Sequence, residues 1–193
     1  MKKISIALLS ILFVSNMAFS QSKATNQRST LAISFALNDF KSAAAVKANN
    51  LGNTINNQEF GKIKNMAPAL AVSYIKGVSS NLDVVGTFAG SFVDYPMQNR
   101  AAFGRDFLLM EADCSVRGKF ISTKTVSPYV QAGVGVSKYK AYYGAFIPVG
   151  AGLQIDLLKE AYLLVNAQYR IPVSEATNYH FFYGIGIGGN IGK

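Results

Sequence analysis

Four charged residues recur at even spacing within one short run. In Phe107 to Phe120, FLLMEADCSVRGKF, the positions are Glu111, Asp113, Arg117 and Lys119. Two carboxylates beside two cations can line a path for ions or small solutes, or lock into a salt-bridged plug. Asp83, Asp156 and Arg170 sit in runs of the same alternating kind and extend the set. His180 is the single histidine, with Ser174 and Glu175 shortly before it. Those are the parts of a nucleophile and base, but hydrolysis needs them within hydrogen-bond reach. The spacing does not supply that reach, so His180 reads as a rim histidine and no catalytic residue is assigned. One histidine and one cysteine, Cys114, on opposite faces of different segments do not make metal-ligand spacing. Gly184 to Gly189, GIGIGG, lacks the following helix that a dinucleotide loop needs. No cofactor and no metal are expected.

The charges are placed by a strand. Read with period two, Leu108, Met110, Ala112, Cys114 and Val116 form one row, and every charge lies on the other. At about 100° per residue both rows would scatter around a helix. Only a strand separates them. The run is also long, where strands in soluble proteins usually have about five or six residues. A soluble sheet would turn the charges to water. A membrane barrel would turn the apolar row to lipid and the charges to its lumen.

The rest of the chain favours the barrel. It has 193 residues, enough for one domain of ordinary size. Half the residues are hydrophobic, only 15% are charged and tryptophan is absent. Residues 1–20 read as a cleaved secretory signal peptide: Lys2 and Lys3, an apolar stretch from Ile4 to Met17, then Ala18-Phe19-Ser20. Losing Lys2 and Lys3 lowers the formal charge of +9 by two. The apolar stretch is short for a span of about 20 residues. No later run suits a transmembrane helix, so entry into a membrane requires a closed barrel.

After a polar lead-in over residues 21–29, the domain 30–193 shows eight alternating runs. They begin near Thr30, Ala67, Leu82, Phe107, Tyr129, Gly144, Ala161 and Tyr179. The connections alternate long and short, as in outer-membrane barrels. A moderate loop is expected at Lys138 to Tyr143, a short helix near Ala43 to Ala48 and a bulge at Pro148 inside the sixth strand. Tyr74, Phe92, Tyr129, Tyr139, Tyr143, Tyr169, Tyr179 and Phe181 near strand ends suit interfacial girdles. The expected architecture is all-β, an eight-stranded antiparallel up-and-down transmembrane β-barrel. Its inward rows should hold a lumen polar network of Asp83, Glu111, Asp113, Arg117, Asp156 and Arg170. Such an interior is narrow enough for side chains to fill.

The longest loop carries Lys41, Lys47, Lys62 and Lys64, a candidate anion-binding set. Exposed to the outside, these would attract anionic lipid headgroups or lipopolysaccharide. Their dispersal over loops and the export signal argue against nucleic acid. Two other functions stay open at this point: a narrow gated pore for ions or small solutes, and a soluble exported barrel binding an apolar ligand. The second would invert every face.

Residues 73–96, SYIKGVSSNLDVVGTFAGSFVDYP, the 107–120 run and residues 128–157, PYVQAGVGVSKYKAYYGAFIPVGAGLQIDL, resemble the outer-membrane β-barrel proteins of Bacteroidetes. That family is similar in architecture to the N-terminal barrel of OmpA-type porins. The resemblance implies a monomeric, non-enzymatic barrel delivered by the barrel assembly machinery. Many relatives add a periplasmic peptidoglycan-binding domain, which is not carried over to a chain ending at Gly192-Lys193. Relatives commonly end in an aromatic residue used in assembly; here the last strand ends in Ile191-Gly192-Lys193.

Overall fold

Alternation drives ring closure. Each strand has one row that cannot face a polar lumen, and in lipid an unpaired backbone edge costs several kcal/mol per group. A computed structural model describes residues 29–98, 103–120, 125–158 and 161–191. The expected signal peptide, all of the lead-in but Ser29, and Gly192-Lys193 lie outside them.

Eight strands form a closed antiparallel ring in chain order. They are β1 Ser29–Asp39, β2 Ala67–Ser79, β3 Leu82–Val93, β4 Phe107–Lys119, β5 Val126–Tyr139, β6 Tyr142–Leu158, β7 Ala161–Pro172 and β8 His180–Ile191. The seam joins β1 to β8 from Ser29↔Ile191 to Asp39↔Phe181. The faces match the expected rows. Leu108, Cys114 and Val116 are exposed, while Glu111, Asp113 and Arg117 are buried. Ile33, Leu70, Val134 and Ile187 are each more than 60% exposed on the outer wall. A soluble barrel holding an apolar ligand would need the reverse arrangement.

The helix expected near Ala43 is longer and starts at once. Helix α1 spans Phe40–Asn56, and its N-cap is Asp39, the last residue of β1. The Ser42 N–H donates to Asp39 Oδ1 at 2.8 Å, satisfying one of the donors a helix start leaves open. A 3-10 turn at Ile63–Asn65 leads into β2. This end of the barrel, the helix end, also carries the 94–106 and 173–179 connections. The opposite, turn end holds the first and last residues of the ring.

Three expectations need correction here. Pro148 makes no bulge. Its register with Arg170 on β7 is regular, and on the β5 side pairing lapses between Ala132↔Val149 and Gly135↔Phe146 and resumes unshifted. A proline lacks only the N–H, so skipping local bonds suffices without inserting a residue. The register shifts lie at Gly77/Ser79 and Asp156/Leu158, both at the turn end. No moderate loop spans Lys138 to Tyr143: β5 and β6 run on to Tyr139 and Tyr142, joined by Lys140 and Ala141, with Lys140 at φ 55. Tyr129 and Tyr139 are not girdle residues. Both are 1% exposed inside the barrel, because the extended β5 puts them on its inward row.

The inner face is also less polar than the rows suggested. Ala36, Ala69, Ala71, Ala89 and Phe182 form one buried apolar layer, and Ala32, Ile75, Val85 and Leu164 another. The charges gather on the β4–β7 side. On that side the strands approach closely at Gly150. A Cβ there would meet the Ala167 carbonyl oxygen and, at 2.8 Å, Gln168 Cα, both backbone. Gly150→Ala is therefore expected to destabilise the barrel by about 1–3 kcal/mol. Gly118→Ala, where nothing lies within 4 Å, should be close to neutral. Denaturant midpoints of the two variants in lipid vesicles check the contrast.

Candidate functional site

The lumen charges form two tiers rather than one network. The upper tier crosses the barrel from β4 to β7 and β8. Arg170, fully buried on β7, sets Nη1 2.5 Å from Glu111 Oε2 and Nη2 3.5 Å from Asp113 Oδ2. Ser115 donates to Asp113 Oδ1 at 3.0 Å. Arg170 also lies over the Phe182 ring at 4.0 Å. Such a cation is held by direct carboxylate contact and by a ring face, both stronger away from water.

His180 belongs to this tier and was not in the expected set. It pairs with Arg170 across β7–β8 and is 1% exposed. Its Nε2 lies 3.3 Å from Glu111 Oε1 and its Nδ1 lies 3.1 Å from the Asn178 carbonyl. Both ring nitrogens thus face acceptors. The inward parity of His180 was legible; its depth was not, because depth depends on the loops above it. Ser174 turns away from it. Its hydroxyl accepts from the Ala145 N–H at 2.9 Å and lies 3.3 Å from the Thr177 hydroxyl, while Glu175 is exposed. The pieces of a hydrolase are not assembled.

The lower tier sits toward the turn end. Lys119 Nζ lies 2.9 Å from Asp83 Oδ2. Arg117, opposite Asp83 in the β3–β4 register, stacks 3.9 Å over Tyr129 and donates to Gln131 Oε1 at 3.4 Å. Asp156 joins neither tier: its buried Oδ1 has no partner among the described residues. It keeps the regular β6–β7 register, opposite Tyr162, and lies at the turn end just before the Asp156/Leu158 shift.

Above the upper tier the barrel is closed by apolar groups. Phe40, Val93, Tyr95, Met97, Leu109 and Tyr139 pack together. The Phe40 ring lies 5.2 Å from Tyr95, edge to face, and 4.7 Å from His180. The loops knit over this plug. Tyr139 donates to the Val93 carbonyl at 2.9 Å and accepts from the Tyr95 N–H at 3.1 Å. The Asn178 N–H donates to Tyr95 Oη at 2.8 Å, and the Asn178 amide donates to the Pro96 carbonyl at 2.6 Å. Burial, with the Glu111 carboxylate beneath, pushes the Tyr95 phenol well above its ordinary range. It therefore remains a neutral donor and acceptor.

The four loop lysines are exposed at the helix end, Lys41 and Lys47 on α1, Lys62 before the 3-10 turn and Lys64 within it. Lys41 Nζ donates to Asn65 Oδ1 at 3.2 Å, and Lys47 Nζ lies 4.6 Å from the centre of the Tyr179 ring. Lys140 sits about equally over Phe103 and Phe107, at 4.1 and 4.0 Å. No cluster of three or more metal-ligating side chains occurs among the described residues.

No protein-family model matches the chain, and no curated protein matches it. Solved structures do. Ail, the attachment invasion locus protein of Yersinia pestis, superposes with TM-score 0.53 at 14% identity, covering 86% of this chain and 99% of that one. A structure of Ail with the heparin analogue sucrose octasulfate gives 0.52 over the same shares, also at 14% identity. Neisserial surface protein A gives 0.54 at 11% identity, over 88% of this chain and 100% of that one. The N-terminal barrel of Pseudomonas aeruginosa OprF gives 0.52 at 11% identity, over 86% and 100%. At these identities the likeness is one of fold: this chain is an eight-stranded antiparallel barrel of the kind that spans membranes.

Proposed function

We propose that this protein is a non-enzymatic barrel of a bacterial outer membrane that reinforces the bilayer and offers anionic partners a basic surface at its helix end. The observation that carries it is the pairing of an apolar outer wall with a filled interior. Ile33, Leu70, Val134 and Ile187 face outward, while Arg170 bridges the lumen beneath a plug of Phe40 and Tyr95. Such a cylinder suits lipid outside and has little use as a conduit. A cleaved leader at residues 1–20 would deliver it to the periplasm, and the barrel assembly machinery would insert it as a monomer. The resemblance of the runs at 73–96, 107–120 and 128–157 to the Bacteroidetes barrels supports this reading. The helix end would then face outward, with lipopolysaccharide the nearest anionic partner.

Lys41, Lys47, Lys62 and Lys64 are the residues proposed to take the anion. Each phosphate contact by a surface lysine is worth about 1 kcal/mol and is screened by salt. Binding of lipopolysaccharide to the folded protein should weaken with salt, and weaken by one order of magnitude or more when all four become glutamine. Equal binding by the four-glutamine variant would remove the anion-surface role. Extraction without detergent, or steady conductance from the folded protein in planar bilayers, would remove the sealed membrane barrel.

A further inference from the structure

The connection from β1 to β2 does not stand clear of the barrel. Lys47, midway along α1, lies over Tyr179, and Phe60, past its end, meets Phe181 edge to face at 5.3 Å. Tyr179 and Phe181 belong to an outward aromatic ladder. Tyr169 stacks on Tyr179 at 5.8 Å and contacts Phe181 at 4.8 Å, and Phe181 stacks on Tyr183 at 5.8 Å. The segment between Lys47 and Phe60 thus meets Tyr179, just before β8, at one end and Phe181, on the outer face of β8, at the other, while Ser42 in the first turn of α1 bonds Glu59 and Gly61 on either side of Phe60.

That segment carries apolar side chains with nothing over them. Helix α1 kinks at Asn50, which takes φ 64 and whose side chain accepts from the Asn53 N–H at 3.0 Å. The kink starts a second short turn bearing Leu51 and Ile55, four positions apart and on one face. They are 48% and 52% exposed, and Ile63 in the 3-10 turn is 72% exposed. In water this face would be a liability. Beside an aromatic belt at the edge of an apolar wall, such a face suits the interface that amphipathic segments enter.

We infer that the Leu51–Ile63 segment is an interfacial anchor that docks on the leaflet surrounding its own barrel, with Leu51, Ile55 and Ile63 in the headgroup–acyl boundary and Lys41, Lys47, Lys62 and Lys64 on anionic lipid phosphates. The apolar patch continues the lipid-facing wall, and the lysines complement an anionic leaflet. This rests on the membrane-barrel reading above. It specifies that the lysines serve lipid of the same membrane rather than a soluble polyanion.

The chain contains no tryptophan, so single reporters can be placed cleanly. Leu51→Trp, Ile55→Trp and Ile63→Trp go into the full protein in bilayers of brominated phosphatidylcholine with and without phosphatidylglycerol. Ile33→Trp on the wall is the control, and heat-modifiable gel mobility confirms folding. The expected result is blue-shifted emission quenched more by bromines near the headgroup than by bromines deep in the chains. Phosphatidylglycerol should strengthen that quenching, and glutamine at the four lysines should abolish the increase. Water-like emission open to aqueous acrylamide, with Ile33→Trp quenched, overturns the anchor and leaves the barrel standing. An unquenched Ile33→Trp instead overturns the barrel reading itself. Sucrose octasulfate serves as the soluble polyanion. If it binds the lysines equally well with and without phosphatidylglycerol, lipid does not occupy them and the anchor is also overturned.

Discussion

Arg170→Met is expected to destabilise the barrel by about 3–5 kcal/mol, the usual cost of leaving buried charges without their partner. Arg170 is the only guanidinium in contact with Glu111 and Asp113 among the described residues, and it is fully buried. Its loss leaves Asp113 with only the Ser115 hydroxyl and Glu111 with only the His180 ring beside it. Arg170→Lys should recover part of the loss, because an ammonium restores charge but cannot fork to both carboxylates. The triple variant Glu111→Gln, Asp113→Asn, Arg170→Met should be less damaged than Arg170→Met alone, since no stranded charge remains. Equilibrium unfolding in guanidinium, followed by gel mobility in lipid vesicles, measures all three. If Arg170→Met and the triple variant lose equal stability, the arginine acts by filling space and the ion pairs contribute nothing.

The second large effect is expected at Phe40. Phe40→Ala removes a buried ring that touches both Tyr95 and His180. Truncating a buried phenylalanine costs about 3–5 kcal/mol when the site cannot collapse. Here collapse is resisted by the Tyr139 and Asn178 hydrogen bonds that hold Tyr95 and its loop. The resulting void opens above the Arg170 tier. Amide exchange should therefore quicken in Tyr95 and Asn178 before it quickens in the turn-end strands. Uniform quickening along every strand would mean that Phe40 stabilises the ring as a whole rather than the plug. Phe40→Leu, which keeps most of the apolar volume, should lose much less.

Strand rows were legible because a strand has only two faces. In Phe107 to Phe120 every charge shared one parity, and the structure buries that parity. The same logic placed Asp83 and Arg170 inside. Parity says nothing about height along the barrel or about which walls face each other. Arg170 meets Glu111 rather than Arg117 or Asp156 because of stagger around the ring, which only the register around all eight strands defines. The same limit hid the role of His180. Tyr129 and Tyr139 were misplaced for a different reason: β5 extends past the expected ends, so residues taken as terminal belong to the inward row.

Sequence alone gave away the number of strands, the apolar outward and polar inward rows, and the concentration of long connections at one end. These follow from alternation and turn spacing, which are local. Only the tertiary structure shows that the charges split into two tiers, that Phe40 and Tyr95 cap the upper one, and that Phe60, just past α1, meets Phe181 on the outer face of β8. Each is a contact between residues far apart in the chain. Such contacts depend on ring closure and stagger, which no period within a single strand encodes.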